Sequence, residues 1–339
     1  MEQPAAERTV ADWASFRPEH IPSKGCKLHE FFDETLLALE TGAATANNND
    51  DNNDNNDNND DNNNSNNDNN NNDNNDNNTN NNEDNNNNDN NTNDNNNSSD
   101  GSPPSCCAVA GTATTINNDN QPGQQHQQQQ QQHLKILELG CGTGELAAVL
   151  EARGHCLLGV DVNSGAVAVA AARCPGGRFF AADVADESLF PEAAAAAEDG
   201  EVLGCFDFAV LQLLLSLVGG RARRLATLRN AAALLRPGGA LYLSVSGASD
   251  EINASYAELY ARDRQATGEE RTYFSREEGT GKVLYSTHHF LRDEIESLLL
   301  EAGLSEAMQI QVRQEASSRR PLEAANFIYA TARKPELPG

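Results

Sequence analysis

Residues 138–145 read Glu-Leu-Gly-Cys-Gly-Thr-Gly-Glu, and an apolar run, Leu134 to Leu139, leads directly into them. A strand that ends in Gly140, Gly142 and Gly144, with a helix beginning at once, makes a turn whose main chain can come close to a ligand. Such a turn lies beyond the carboxyl end of its strand, where open parallel sheets bind small molecules. Glu138 stands two residues before the first glycine, and the next apolar run, Cys156 to Val160, ends in Asp161. A carboxylate there can accept both hydroxyls of an adenosine ribose. Dinucleotide enzymes share glycine turns of this kind, and Asp161 alone suits either sort of cofactor. The Gly-x-Gly-x-Gly spacing followed by Glu145 departs from the dinucleotide pattern, which wants a small residue at the next turn. At the far end of the chain, LYSTHHF sets Tyr285 close to the imidazoles of His288 and His289. These three are the candidates for a base or an acceptor contact, with packing or the satisfaction of a helix end as the plainer role for the His pair.

The elements that would position these groups follow from the apolar pattern. Strands are expected at Leu134 to Leu139, Cys156 to Val160, Gly177 to Ala181, Phe206 to Leu211 and Ala240 to Val245. Helices are expected between them at Glu145 to Arg153, Ser164 to Cys174 and Arg221 to Leu235. Strands alternating with helices of that length mean βαβ units and a buried parallel sheet. A helix at about Leu291 to Ala302 then precedes two strands, Ala307 to Gln314 and Asn326 to Ala332, whose short link suggests an antiparallel hairpin at a sheet edge. Near the start, residues 29–40 form a short helix with Phe32, Leu36 and Leu39 on one side. The long connection from Ser246 to Phe290 holds four of the six tyrosines, and RTYFSREEGTGKVLY within it fits a hairpin turning at Glu278 to Lys282.

Residues 134–250 resemble the class I S-adenosylmethionine-dependent methyltransferase family. The likeness is carried by ELGCGTG (138–144), Asp161, AADVAD (181–186), FDFAVLQLLL (206–215) and LLRPGGALYLSV (234–245), and the tail is similar to the family's last helix and hairpin. The resemblance implies an α/β, Rossmann-like, seven-stranded, mostly parallel sheet with helices on both faces and a C-terminal antiparallel hairpin. It implies S-adenosyl-L-methionine as cofactor, with Gly140, Gly142 and Gly144 along its methionine and ribose part and the Cys141 backbone nearby. Glu138 would orient that loop or reach the methionine amino group through water. Asp161 would hold the ribose with Val162 against adenine, Asp183 would take the adenine amino group beside Val184, and Gln212 would lie at the methionine end. The plainer roles are a helix cap for Asp183, a solvated strand end for Glu138 and inert filler for Cys141. The cofactor brings the reactive methyl group, so the protein has only to orient an acceptor in a dry site, and neither a catalytic triad nor a metal is expected. The acceptor, a small molecule or a protein side chain, should meet the N-terminal helix and the segment Ser246 to Phe290. Gln212-Leu213-Leu214-Leu215 lacks the Asn/Asp-Pro-Pro-aromatic loop of the family's amide and adenine N-methyltransferases, which argues against those acceptors. A silent binding protein or scaffold of the same fold is the alternative, weakened by the intact glycines and acidic residues, and an NAD-type oxidoreductase is a more remote one.

Composition divides the chain. Residues 47–133 are mostly Asn, Asp and Gln with no Lys or Arg, too polar to offset conformational entropy by burial, and are expected to be disordered. They hold 15 of the 51 acidic residues, so the remainder, 36 acidic against 24 basic, is still acidic. An acidic chain argues against a nucleic-acid partner. The domain therefore divides into an N-terminal helical segment (1–46), the insertion (47–133) and the core (134–339). Asn- and Gln-rich tracts can self-associate, though a tolerated expanded loop is the plainer reading. Lengthening a loop from about 10 to about 90 residues costs only about 2 kcal/mol. The insertion joins the first helix to a strand start, the edge opposite the ligand, and is expected to be dispensable for cofactor binding. The seven Cys include no CxxC pair, and no signal-peptide core or membrane-length apolar run occurs, so a protein of the cytoplasm, with the nucleus left open, is expected.

Overall fold

The structure, a computed structural model, describes residues 13–16, 28–42, 132–186, 204–277, 279–317 and 322–336. The expected insertion, apart from Gln132 and His133, lies outside the described residues. Five strands run parallel: β1 (Lys135–Leu139), β2 (Cys156–Asp161), β3 (Arg178–Ala181), β4 (Phe206–Gln212) and β5 (Leu235–Ser246). Helices α1 (Glu30–Thr41), α2 (Glu145–Ala152), α3 (Ser164–Arg173), α4 (Arg221–Leu234) and α5 (Ala254–Thr267) precede or join them. A two-stranded hairpin, β6 (Thr272–Arg276) and β7 (Val283–His288), then leads to α6 (Arg292–Glu301), β8 (Glu306–Ala316) and β9 (Ala324–Arg333). The seven-stranded sheet has the order β3-β2-β1-β4-β5-β9-β8, and β9 is antiparallel to both its neighbours. The order reverses between β1 and β4, which opens a crevice at their carboxyl ends.

The sheet is buried on both faces, as nearly continuous apolar strands require. One face packs Leu137, Leu139, Leu241 and Leu243 under α4 and α6, and the other packs Ile136, Phe208 and Tyr242 under α1, α2 and α5. The expected strands and helices fall within a few residues of these elements, except that β5 begins at Leu235 and takes in Arg236 to Gly239. Helix α5 was not expected.

Buried polar networks hold the β6–β7 hairpin and α5 against this core. Asp263 of α5, 2% exposed, accepts two bonds from the Arg276 guanidinium at 2.7 and 2.8 Å and one from the Phe274 amide at 2.9 Å. Burial alone would raise its carboxyl; these bonds, with two from Arg262, hold it well below the usual range. Arg224 of α4, 1% exposed, donates to the Val218 carbonyl at 2.9 Å and in bidentate fashion to Glu269, at 3.3 and 2.8 Å. The His288 ring lies between the Thr272 hydroxyl, 2.7 Å from Nδ1, and the Glu294 carboxylate, 3.2 Å from Nε2. His289 is enclosed by Tyr256, Tyr260 and Tyr273, with the Tyr260 hydroxyl 2.7 Å from its Nδ1. Burial pushes its pKa down to about 3, helped by the neighbouring His288.

At the opposite edge, α1 ends on Gly42 in the left-handed conformation, and the Gln132 amide donates to the Glu40 carbonyl at 2.9 Å. His133 is held there by its own 2.7 Å contact to the Gly154 carbonyl. The His155 ring accepts the Leu134 amide at Nδ1 and meets the buried Glu40 carboxylate at Nε2, 2.9 Å away. Both ends of the long segment between Gly42 and Gln132 are thus fixed side by side. Helix α1 buries Phe32, Leu36 and Leu39 against the sheet, which contributes roughly 5–9 kcal/mol. That exceeds the closure cost of the loop behind it.

Two outcomes are expected. Replacing residues 47–131 with a short Gly/Ser linker should leave the thermal unfolding midpoint within about 5 °C of the parent's and cofactor affinity unchanged; a large loss of cofactor affinity would refute dispensability for cofactor binding. His289 stays neutral in the fold below the pH at which the unfolded chain gains a proton. Its contribution is therefore complete above about pH 6.5 and lost as pH falls toward 3, by about 1.4 kcal/mol per unit at most. His289→Gln, which keeps a hydrogen-bonding group, should flatten the fall in denaturant midpoint between pH 7 and 5, and an unchanged slope would contradict this.

Candidate functional site

The site is built on the turn after β1. Gly140 and Gly142 have φ of +72° and +53°, values that side chains with a Cβ rarely adopt, and Gly144 begins α2 at +74°. The Gly140 and Cys141 amides both donate to the Val160 carbonyl, at 2.7 and 3.0 Å, so the turn folds back over the end of β2. The Gly142 amide donates to Asp161 Oδ2 at 2.9 Å. The three glycines then serve different ends. A Cβ on Gly140 would come within 2.8 Å of the Leu214 side chain, and one on Gly144 within 2.9 Å of Ala170 on α3. One on Gly142 would meet nothing within 4 Å. Close packing thus requires glycine at 140 and 144, and the main chain is open to approach at Gly142.

Asp161 ends β2 half-buried, and its other oxygen, Oδ1, accepts the Asn163 amide at 2.9 Å. A carboxylate has about four lone-pair positions, and two are engaged, so capacity for a diol is left. Val162 beside it is half-buried. Glu138 and Gln212, 4% and 5% exposed, close the floor at the ends of β1 and β4. Cys141 is buried against its own loop, its thiol 3.8 Å from the Gly142 carbonyl.

Asp183 follows β3 and its carboxylate has two partners. Oδ1 accepts the Ala185 amide at 3.0 Å, the cap-like bond foreseen as its plainer role, and Oδ2 accepts Arg223 of α4 at 2.6 Å. Val184 next to it is buried in the core under α4. Asn230 of α4, which the sequence did not single out, donates to the Val184 and Asp186 carbonyls, both at 2.9 Å, and fixes this loop. All ten cofactor candidates therefore stand at the carboxyl edge of β1 to β4.

The acceptor side differs from expectation. Helix α1 lies on the β5 and β9 face, its His29 amide bonded to the Tyr242 hydroxyl at 3.1 Å, and ends at the strand-start edge. Its apolar stripe is spent on the sheet, so it does not reach the glycine turn. A short helical turn farther upstream meets the loop after β2 instead: Asn163 donates through Nδ2 to the carbonyls of Trp13 and Phe16, at 2.8 and 2.7 Å. The Trp13 ring packs on Tyr285 of β7, centroids 4.7 Å apart. Among the catalytic candidates, Tyr285 thus faces the site's upper side. His288 and His289 are tied into the hairpin's own bonds, which accounts for both by structure alone. Strand β7 crosses the short 3-10 helix Leu215–Leu217 that follows β4, so the hairpin roofs the carboxyl edge. Among the described residues no cluster of His, Cys, Asp or Glu could hold a metal ion, and no helix is long and apolar enough to cross a membrane.

The family described as "Methyltransferase domain" matches residues 113–306. A crystal structure of a SAM-dependent methyltransferase from Methanosarcina mazei is 25% identical, covers 61% of this chain and 95% of its own, and superposes with a TM-score of 0.52. The N-methyltransferase NodS of Bradyrhizobium japonicum, solved with S-adenosyl-L-homocysteine, is 18% identical over 60% of this chain and 79% of its own, with a TM-score of 0.38. No curated protein matches. The family match spans more than half the sequence, and the sheet has the seven strands and the antiparallel end that the sequence implied. The chain belongs to the methyltransferase domain family, of the class I, S-adenosylmethionine-dependent kind.

Proposed function

We propose that the chain moves the methyl group of S-adenosylmethionine to an acceptor held between the glycine turn and the β6–β7 hairpin. The observation that carries this reading is the pairing of an open main chain at Gly142 with the Asp161 carboxylate bonded to it. In this reading Asp161 receives the ribose hydroxyls on its remaining lone pairs, and Gly142 lets the sugar and methionine part approach. Glu138 and Gln212 orient the methionine end from the floor. Val162 and Val184 flank the adenine. Asp183 takes its amino group while Arg223 holds the carboxylate in place. S-adenosylmethionine supplies a methyl group already activated by the sulfonium sulfur.

The protein's remaining task is alignment and exclusion of water, for which the hairpin roof is suited. Neither His288 nor His289 suits the role of base, since each is buried, bonded at its ring nitrogens and held neutral by burial. The acceptor that fits is one whose nucleophile needs no proton removed by the protein before attack, whether on a small molecule or a protein side chain. Gln212-Leu213-Leu214-Leu215 at the end of β4 offers no amide-clamping loop, which favours acceptors other than exocyclic amines and glutamine.

Calorimetric titration of S-adenosylmethionine and of S-adenosylhomocysteine, with NAD as control, tests the reading. Asp161→Ala and Asp161→Asn should each weaken binding about 10- to 100-fold, the worth of lost bonds to a charged acceptor. Binding of NAD in preference, or wild-type affinity in both variants, would overturn it. Folded protein that binds neither adenosine ligand would shift the reading to a silent binding protein of the same fold.

A further inference from the structure

The N-terminal turn, Trp13 to Phe16, contacts two elements, the loop after β2 and strand β7. Below, the Asn163 carboxamide donates both its hydrogens to the Trp13 and Phe16 carbonyls, at 2.8 and 2.7 Å. The same side chain accepts the Ala166 amide through Oδ1 and so caps α3, while its own amide donates to Asp161. Asn163 is 1% exposed, so every one of its polar atoms is committed. Above, the Trp13 ring packs on Tyr285, and the Phe16 ring stacks on Trp13 at 5.1 Å and lies 6.2 Å from Tyr285. The Trp13 indole Nε1 is buried and has no hydrogen-bond partner among the described residues. A buried donor without an acceptor is costly.

We propose that this aromatic turn is a working part of the cofactor site, seated by Asn163 and Tyr285 as positioning residues, so that cofactor occupancy and the seating of Trp13 stabilise each other. The inference rests on the reading that S-adenosylmethionine binds at Asp161. Its physical content is the direct link Asp161–Asn163–Trp13. A ligand that fixes the Asp161 carboxylate fixes the loop from which Asn163 reaches the turn, and a ligand acceptor at Trp13 Nε1 draws the ring onto the site. By linkage, releasing the turn must weaken the ligand by the same factor by which the ligand steadies the turn.

The chain holds a single Trp, so indole emission reports this turn alone. Titration of S-adenosylhomocysteine should shift that emission along the same isotherm that calorimetry records. Asn163→Asp keeps the cap on α3 but puts oxygen against the two carbonyls, and Asn163→Ser keeps a cap without added charge. Each should weaken the ligand about tenfold, the worth of one to two hydrogen bonds, with an unfolding midpoint near the parent's. Tyr285→Ala should do the same from the other side, and Tyr285→Phe, which retains the ring contact, should restore parent affinity and emission. Parent-like affinity in Asn163→Ser and Tyr285→Ala, or emission unmoved at saturation, overturns the inference and leaves the cofactor assignment standing. A parent protein that binds no adenosine ligand overturns both.

Discussion

The site depends on one set of bonds, those that fold the turn after β1 back onto the end of β2. Val160 offers its carbonyl to two successive amides, Gly140 and Cys141, and Asp161 offers its carboxylate to a third, Gly142. This arrangement exposes the main chain at Gly142 while pairing three successive amides of the turn, a condition that buried backbone must meet. The cost is conformational. Residues 140 and 142 must sit at positive φ, and Gly140 must also pass the Leu214 side chain, so glycine there is dictated twice over. Asp161 is thus a structural residue of the loop as well as the proposed ligand contact. The two roles are compatible because a carboxylate has more lone pairs than the loop consumes.

A parallel sheet then distributes everything else between its two edges. The carboxyl edge collects the turn, Asp161, Asp183, Gln212 and the hairpin roof. The opposite edge collects the strand starts, and there the Glu40–His155 contact and the Gln132–Glu40 bond bring the two ends of the long Asn- and Asp-rich segment together. A loop whose ends are already fixed adds only the slowly growing closure entropy. Its length is therefore decoupled from the geometry of the site, whatever the segment itself does.

The legible part of this protein is the part governed by backbone. Strand and helix positions came through because β1, β2, β4 and β5 are nearly unbroken apolar runs and because glycine punctuates the first turn. What stayed hidden is governed by side chains meeting across long sequence separations. Helix α5 was missed because its buried positions are Tyr256, Tyr260 and Asp263, and a buried aspartate breaks the apolar stripe by which a helix is recognised. Its partner, Arg276, lies in another element, and no local pattern pairs the two. The four clustered tyrosines and the adjacent histidines were visible and drew attention as chemistry. Their arrangement shows a packed hairpin core in which His289 fills an aromatic enclosure. Trp13 and Phe16 gave the opposite error: two aromatic residues in a polar stretch carry no periodic signal, and only the carbonyls they offer to Asn163 and the ring contacts with Tyr285 connect them to the site.

That contrast says something about how such a domain can vary its substrate while keeping its cofactor. The cofactor half is specified by main-chain bonds and by glycines that admit no substitute, so its sequence is constrained tightly. The roof is specified by paired charges, Arg224 with Glu269 and Asp263 with Arg276, each with one buried member that is hydrogen-bonded to backbone as well. A buried pair is weak as a source of stability but severe against mispairing, because removing one member leaves a charge uncompensated. Such pairs fix where the hairpin sits without dictating what its inner face presents. Tyr285, buried in β7 and in contact with the N-terminal turn, belongs to neither pair. Acceptor chemistry is therefore expected to reside in positions outside those pairs, and not in the histidines that the anchoring network has already consumed.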